Sequence, residues 1–205
     1  MVMVEYLPLS EQYYAAIIAL GNRVHGDNYL EPDSLAAIGK ASWNNDINAS
    51  YVALVGREEI PSEERYPDQQ VADRYLVGFR LTLAAQNWTI DKWCSTDKWP
   101  HSRDRVCYFK CNTVDEVMRG QGVGSALLQH SIQSAKQQGA LGGLAHIWLA
   151  SPGNSAFRYF SANGAELIAE HPNKWQHLCI EDNYQCPVCN DLCECTAAEM
   201  MLTFN

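Results

Sequence analysis

Two stretches of the chain hold side chains whose types and spacing could do chemistry. The first is "MRGQGVGSALLQHSI", residues 118–132, where Gly120, Gly122 and Gly124 alternate behind Arg119 and ahead of a helical pattern. A glycine-rich turn feeding a helix makes an anion site. The first helical turn leaves N–H groups without intrahelical partners, the helix dipole favours negative charge there, and glycine lets a ligand approach the backbone. Arg119 adds a fixed cation that can meet phosphate oxygens in a bidentate fork. The expected ligand therefore carries phosphates. The triphosphatase loop is excluded because its G-K-[S/T] ending is missing, and the glycine spacing differs from the dinucleotide fingerprint. A plain turn packed on a helix would use glycines in the same way, so spacing alone leaves that reading open.

The second stretch is "CPVCNDLCECT", residues 186–196. Cys186 and Cys189 form C-x-x-C around a proline, and Cys193 and Cys195 follow within six residues of Cys189. Four thiolates can close a tetrahedral structural zinc site with no open position. The spacing is tighter than two well-separated knuckles, so Cys179, His177 or His171 could replace one ligand. Buried reduced thiols are the plain alternative. A redox pair at Cys186 and Cys189 lacks the helix start that lowers a thiol pKa. Five of the eight cysteines fall between Cys179 and Cys195, which reads as metal before disulfide.

These residues need elements to position them. Val2 to Leu7 has strand character, apolar spacing from Glu11 to Gly21 is helical, and Glu31-Pro32-Asp33-Ser34 starts a second helix with Leu35, Ile38 and Trp43 on one face. Tyr51 to Val55 and Tyr75 to Leu83 read as strands around a long hairpin loop, 57–73. Residues 85–104 have no period but three tryptophans, which implies something to cover. Then follow a strand at Val106 to Val114, a helix at Gly122 to Gln138 ending at Gly139, a strand at Leu144 to Ala150, a helix at Ser151 to Asn163 closed by Gly164, and strands at Ala165 to Ala169 and Glu199 to Phe204. The order suits an α/β layered fold.

A chain of 205 residues, 47% hydrophobic and 19% charged, suits one domain spanning 1–205. A net charge of −9 without a basic stripe should repel nucleic acid and anionic membrane. The start "MVMVEYLPLSEQYY" has no basic region before an apolar run, and no window approaches about 18 consecutive apolar residues. A cytoplasmic protein is expected, with no membrane or nucleic-acid partner; monomer and homodimer both stay open.

The segment "VDEVMRGQGVGSALL" resembles the acyl-CoA-binding signature of the GNAT superfamily of N-acyltransferases: a valine five residues before the arginine, then R-G-x-G-x-G, a small residue and a helix. "HIWLASPGNSAFRYFSANGAEL" is similar to that family's fifth strand, asparagine-bearing turn, next helix and terminating glycine. The resemblance is good over about 105–170; elsewhere only the element order agrees. It implies a mixed, mostly antiparallel central sheet of about six to seven strands flanked by helices, with 171–195 as a Cys-rich insertion between the last two strands.

By the same resemblance the chain is an N-acetyltransferase that moves an acetyl group from acetyl-CoA directly to a primary amine. Arg119, Gly120, Gln121, Gly122, Val123, Gly124 and Ser125 would hold the coenzyme's pyrophosphate, and Asn154 its pantetheine arm, unless Asn154 is simply a helix cap. A backbone N–H at Val114 or a close neighbour would polarise the thioester carbonyl. The family often protonates the leaving thiolate with a tyrosine. Counting back from Gly164, that position falls on Phe160, with Tyr159 beside it, and helix neighbours differ by about 100° in direction. Tyr159 is the candidate acid against a packed aromatic. Glu116 is the candidate base against a solvated strand end, with His146, Tyr108 and Asp115 as further options. The alternative is a non-catalytic acyl-CoA-binding or protein-interaction module of the same fold.

Overall fold

The computed structural model describes residues 2–205, the side chain of Pro152 excepted. In chain order the elements are β1 (Glu5–Pro8), α1 (Tyr14–His25), α2 (Pro32–Ala41), a small hairpin β2 (Trp43–Asn44) and β3 (Ile47–Asn48), β4 (Tyr51–Gly56), β5 (Gln70–Val71), β6 (Arg74–Leu83), β7 (Val106–Val114), α3 (Val123–Gln137), β8 (Gly142–Trp148), α4 (Ser155–Ala162), β9 (Glu166–His171), α5 (Gln176–Glu181) and β10 (Ala197–Thr203). The main sheet runs β1-β4-β6-β7-β8-β10-β9, with β5 paired to β6. Among the described residues only β7 and β8 run parallel, and α3 makes the crossover that a parallel pair requires.

Both faces of the sheet are covered. Ile17 and Leu20 of α1 and Leu35 of α2 pack on Val52, Leu76, Phe79 and Leu81. On the other face, Val123 and Leu127 of α3 meet Val55 and Val77, while Leu128 of α3 and Phe160 of α4 meet Phe109, Ile147 and Met200. The central strand β6, "RYLVGFRLTL", is buried almost throughout, as a strand covered on both faces should be.

Local chemistry sets the boundaries. The Glu31 backbone N–H donates to Ser34 Oγ at 3.0 Å and Pro32 occupies the first turn of α2. Gly139, at φ +95°, ends α3. Trp43 does not extend the face of α2: the helix stops at Ala41, and Trp43 lies exposed in the small hairpin. The helix expected from Glu11 to Gly21 continues to His25, and α4 is shorter than expected because its first turn is a kinked 3-10 segment with Gly153 and Asn154 at positive φ. No helix among the described residues is long and apolar enough to cross a membrane.

The three tryptophans of 85–104 cover the sheet on the α1/α2 face. Trp99 is buried beside Leu144 and Met201, with Trp88 against the same cluster. Trp88 Nε1–H donates to the Val106 carbonyl at 2.9 Å, and Trp99 Nε1–H donates to Glu199 Oε1 at 2.8 Å. Glu199 is fully buried and also accepts from the Ser95 backbone and from His171 Nε2 at 2.9 Å. Burial alone would raise its pKa, but these donors outweigh it and hold the carboxylate below its ordinary value.

Candidate functional site

The sheet carries a breach. β7 and β8 pair only over Val106–Tyr108 against Gly142–Leu144; beyond that point neither strand is paired to the other. A β-bulge at Lys110, where Leu81 opposes Cys111 and Thr82 opposes Phe109, lies just where they part. Bulges bend a strand and end its pairing. Beyond Tyr108, N–H groups on the β8 side of β7 therefore face an open gap rather than a ladder. Gly143 lets the Phe109 ring lie against β8 at the base of the gap, since a Cβ there would meet that ring at 2.2 Å.

The glycine loop stands at the open end of this gap. Val114 ends β7, a 3-10 turn covers Glu116–Met118, and α3 starts at Val123 with Gly122 as its cap residue and no side-chain cap. Gly120 and Gly122 adopt φ +76° and +83°, and a Cβ on either would meet nothing within 4 Å. Their conformation demands glycine, and the space before them is open. Gly124 differs: a Cβ there would stand 3.2 Å from Asn112 Nδ2 and 3.8 Å from the Tyr159 ring, so close approach is its reason. Arg119 Nε–H donates to the Val114 carbonyl at 3.2 Å, fixing the cation beside the loop. Gln121 and Ser125 are exposed along the same turn.

Tyr159 and Phe160 divide the roles that sequence left between them. Phe160 is buried against Phe109, whereas Tyr159 is half-buried and its hydroxyl donates to the Gly124 carbonyl at 2.8 Å. Burial raises the Tyr159 pKa, and the cation of Arg80 opposes that rise. Arg80, on β6, is buried over the rings of Phe109 and Phe160 at 4.4 and 5.4 Å, with Nε and Nη1 unpartnered. Sequence reasoning passed over Arg80; the signal was an arginine inside an otherwise apolar central strand. Asn154 occupies the cap position of α4 at positive φ, but its side chain caps nothing and is exposed.

On the opposite face, Tyr108 and His146 meet across the two strands just before they part. Tyr108 Oη lies 3.0 Å from His146 Nδ1, and His146 Nε2 lies 2.7 Å from the Trp93 carbonyl oxygen. A carbonyl can only accept, so Nε2 carries the proton and Nδ1 accepts from the Tyr108 hydroxyl. Burial lowers the His146 pKa from 6.5 to about 4, with the Lys174 cation adding to the shift. The imidazole is neutral at pH 7. Burial likewise pushes the Tyr108 phenol well above its usual range.

His146, His171 and Glu199 bring their ligand-type atoms within 4.8 Å of one another. Both His146 ring nitrogens and the near Glu199 oxygens are already engaged in hydrogen bonds: His146 with Tyr108 and the Trp93 carbonyl, and Glu199 with His171 of β9 and with Trp99. Asp115 is likewise engaged: it is buried, caps the 3-10 turn through Val117 N–H at 3.2 Å, accepts from Gln69 at 2.7 Å and pairs with Arg23 at 3.4 Å. Glu116 is exposed in that same turn, ahead of the glycine loop. A thiol–imidazole pair lies past the bulge, Cys111 Sγ at 3.7 Å from His25 Nε2, with Thr113 Oγ1 bridging them at 3.2 and 2.8 Å. Burial raises the Cys111 pKa, but His25 and the hydroxyls around it prevail and lower it.

The four cysteines expected to cluster do so between β9 and β10. The sulfurs of Cys186, Cys189, Cys193 and Cys195 lie within 4.8 Å of one another, with Cys186 and Cys189 at 3.8 and 3.6 Å from Cys195. Metal–sulfur bonds of about 2.3 Å place tetrahedral sulfurs about 3.8 Å apart, so the donor set fits zinc. All four are free thiols. Burial works against the Cys186 thiolate, but the backbone N–H groups of Cys189 and Val188 lower its pKa overall. Cys179 packs beside the cluster, His177 is exposed, and His171 serves Glu199 instead.

Residues 72–164 match the family model described as the acetyltransferase (GNAT) family. No protein of curated function matches by sequence. Among solved structures, the chain resembles the ribosomal-protein-S18-alanine N-acetyltransferase from Escherichia coli (12% identity, 98% of this chain and 94% of that one, TM-score 0.61). It also resembles Arabidopsis thaliana Naa50 in complex with a bisubstrate analogue (15%, 99% and 100%, TM-score 0.59). A third likeness is to yncA, a putative acetyltransferase from Salmonella typhimurium with acetyl-CoA (13%, 98% and 94%, TM-score 0.63). At such identities these structures share the fold.

Proposed function

From the match of residues 72–164 to the acetyltransferase (GNAT) family model we propose that the whole chain works as one acyltransferase of that kind, which moves an acetyl group from acetyl-CoA directly to a primary amine. The observation that carries this reading is the meeting of two features at one place: an uncapped helix start behind open glycines, and the gap between β7 and β8 onto which it faces. The coenzyme's pyrophosphate would lie on the N–H groups of Gly120, Gln121, Gly122, Val123, Gly124 and Ser125 beside Arg119, with the pantetheine arm entering the gap past the exposed side chain of Asn154. Backbone N–H groups of β7, between the bulge and Val114, would polarise the thioester carbonyl.

Acid and base candidates flank the gap from opposite faces, which supports entry of coenzyme from the α3/α4 side and acceptor from the α1/α2 side. The amine would give its proton to the Tyr108 oxygen as the Tyr108 proton passes to His146 Nδ1. The amine nitrogen bonds to the carbonyl carbon, the carbon–sulfur bond breaks, and Tyr159 protonates the departing thiolate. Glu116 is the weaker base candidate, since it is exposed and His146 already has a directed proton path. The four-cysteine group would hold one structural zinc ion. The test is incubation with acetyl-CoA and a panel of amines, with product and free CoA measured by mass spectrometry. Transfer lost in Tyr108→Phe and His146→Gln supports the relay; acetyl-CoA binding without transfer to any amine would favour the non-catalytic module.

A further inference from the structure

We infer that the four-thiol metal site governs the acceptor side of the protein: with zinc bound, the cysteine-rich loop clasps the α1–α2 connection over the gap. The loop reaches that connection through the three residues just before Cys186. Tyr184 Oη–H donates to the His25 carbonyl at 3.0 Å, and Asn28 Nδ2–H donates to the Asn183 carbonyl at 3.5 Å. Gly26, at φ +103°, lies so close that a Cβ there would meet the Gln185 carbonyl oxygen at 2.4 Å and the Pro187 ring at 3.3 Å. One strand of the contact is thus joined directly to a metal ligand.

What the clasp holds down is chemically loaded. The His25 ring packs at a tilt against Tyr29, 4.4 Å between centroids, and shares a hydrogen bond with Thr113 on β7. Together they screen Cys111, which is 7% exposed and stands immediately past the bulge. The side chains of Tyr184 and Trp175 pack back onto the cysteine group. Residues 182–196 otherwise hold no helix or strand; the Tyr184 N–H donates to the Leu178 carbonyl of α5 at 3.1 Å, and beyond that single tie to α5 the cysteine group is what the Tyr184 side chain packs on. A long irregular loop holds one shape only when something staples it. Metal loss should therefore free 183–185, release 25–30, and uncover the β7 side of the gap, while the glycine loop on the opposite face keeps its form.

The inference rests on reading the four thiols as a zinc site and is separate from the coenzyme reading. The full-length protein is compared zinc-replete, after a strong chelator, and as Cys189→Ser and Tyr184→Phe. Zinc content, amide hydrogen exchange over 25–30, alkylation of Cys111 read by peptide mass, and acetyl-CoA affinity are measured for each. The expected result is one zinc per replete chain. Loss of zinc should raise exchange over 25–30 and Cys111 alkylation at least about tenfold, with acetyl-CoA affinity changed less than about twofold. Tyr184→Phe should retain zinc yet raise exchange over 25–30 about fivefold, the effect of one lost hydrogen bond. Metal-free protein with unchanged exchange and alkylation overturns the inference, as does Tyr184→Phe that behaves like wild type. Failure of acetyl-CoA to bind any form would sink the coenzyme reading and leave the clasp result standing on its own.

Discussion

Substituting alanine at Gly122 and at Gly139 separates a backbone requirement from a ligand requirement. The two glycines sit at opposite ends of α3, at φ +83° and +95°, and in both a Cβ would meet nothing within 4 Å. Left-handed backbone costs an L-residue about 1–2 kcal/mol, partly offset by about 0.4–1 kcal/mol of reduced freedom in the unfolded chain. Each variant should lose about 1 kcal/mol, or roughly 2–4 °C in melting temperature for a chain of this size. Only Gly122 fronts the proposed phosphate site. A methyl group there would push a phosphate off at least one N–H, and a hydrogen bond to a charged group contributes about 1.5–3 kcal/mol. Gly122→Ala should weaken acetyl-CoA binding about 10- to 150-fold, while Gly139→Ala leaves it alone. Thermal melts and calorimetric titration on the same samples read both effects. Equal melting shifts with equal affinities would refute the phosphate assignment while leaving the backbone argument intact.

Tyr159→Phe should lower acetyl transfer about 10²-fold with acetyl-CoA affinity largely kept, checked by steady-state rates beside titration. His146 is held neutral by the fold, its pKa falling from 6.5 to about 4. A depressed pKa contributes stability above pH 6.5 that is lost as pH falls toward about 4. Denaturant unfolding from pH 7 to 4 should show that loss, and His146→Gln should flatten it; a parallel curve for the variant would contradict the assignment. Gly143→Ala drives a Cβ into the Phe109 ring, an overpacking that costs about 1–3 kcal/mol, and the melting temperature should fall accordingly.

Much of this was legible before the fold was seen. The alternation of glycines behind Arg119 pointed to a turn ahead of a helix, and the clustering of Cys186, Cys189, Cys193 and Cys195 pointed to one site; both need only local spacing. The division between Tyr159 and Phe160 was not legible, because it turns on where α4 begins, and Gly153 and Asn154 at positive φ shorten that helix. The Tyr108–His146 pair joins residues 38 apart in sequence through a register that no periodicity records. Arg80 and Lys110 were hidden for a related reason: one is buried beneath two helices, and the other marks a bulge known only from cross-strand pairing. Asp115, one of the options for a base, proved to be a cap bonded to Gln69 and Arg23.

The most direct measurement is a crystal structure of the protein with acetyl-CoA. The expected result has the pyrophosphate on the N–H groups of residues 120–125 beside Arg119, and the thioester within the gap between Lys110 of β7 and His146 of β8. Coenzyme bound elsewhere, or bound at the glycines with its thioester directed away from the gap, would contradict the acyltransferase reading.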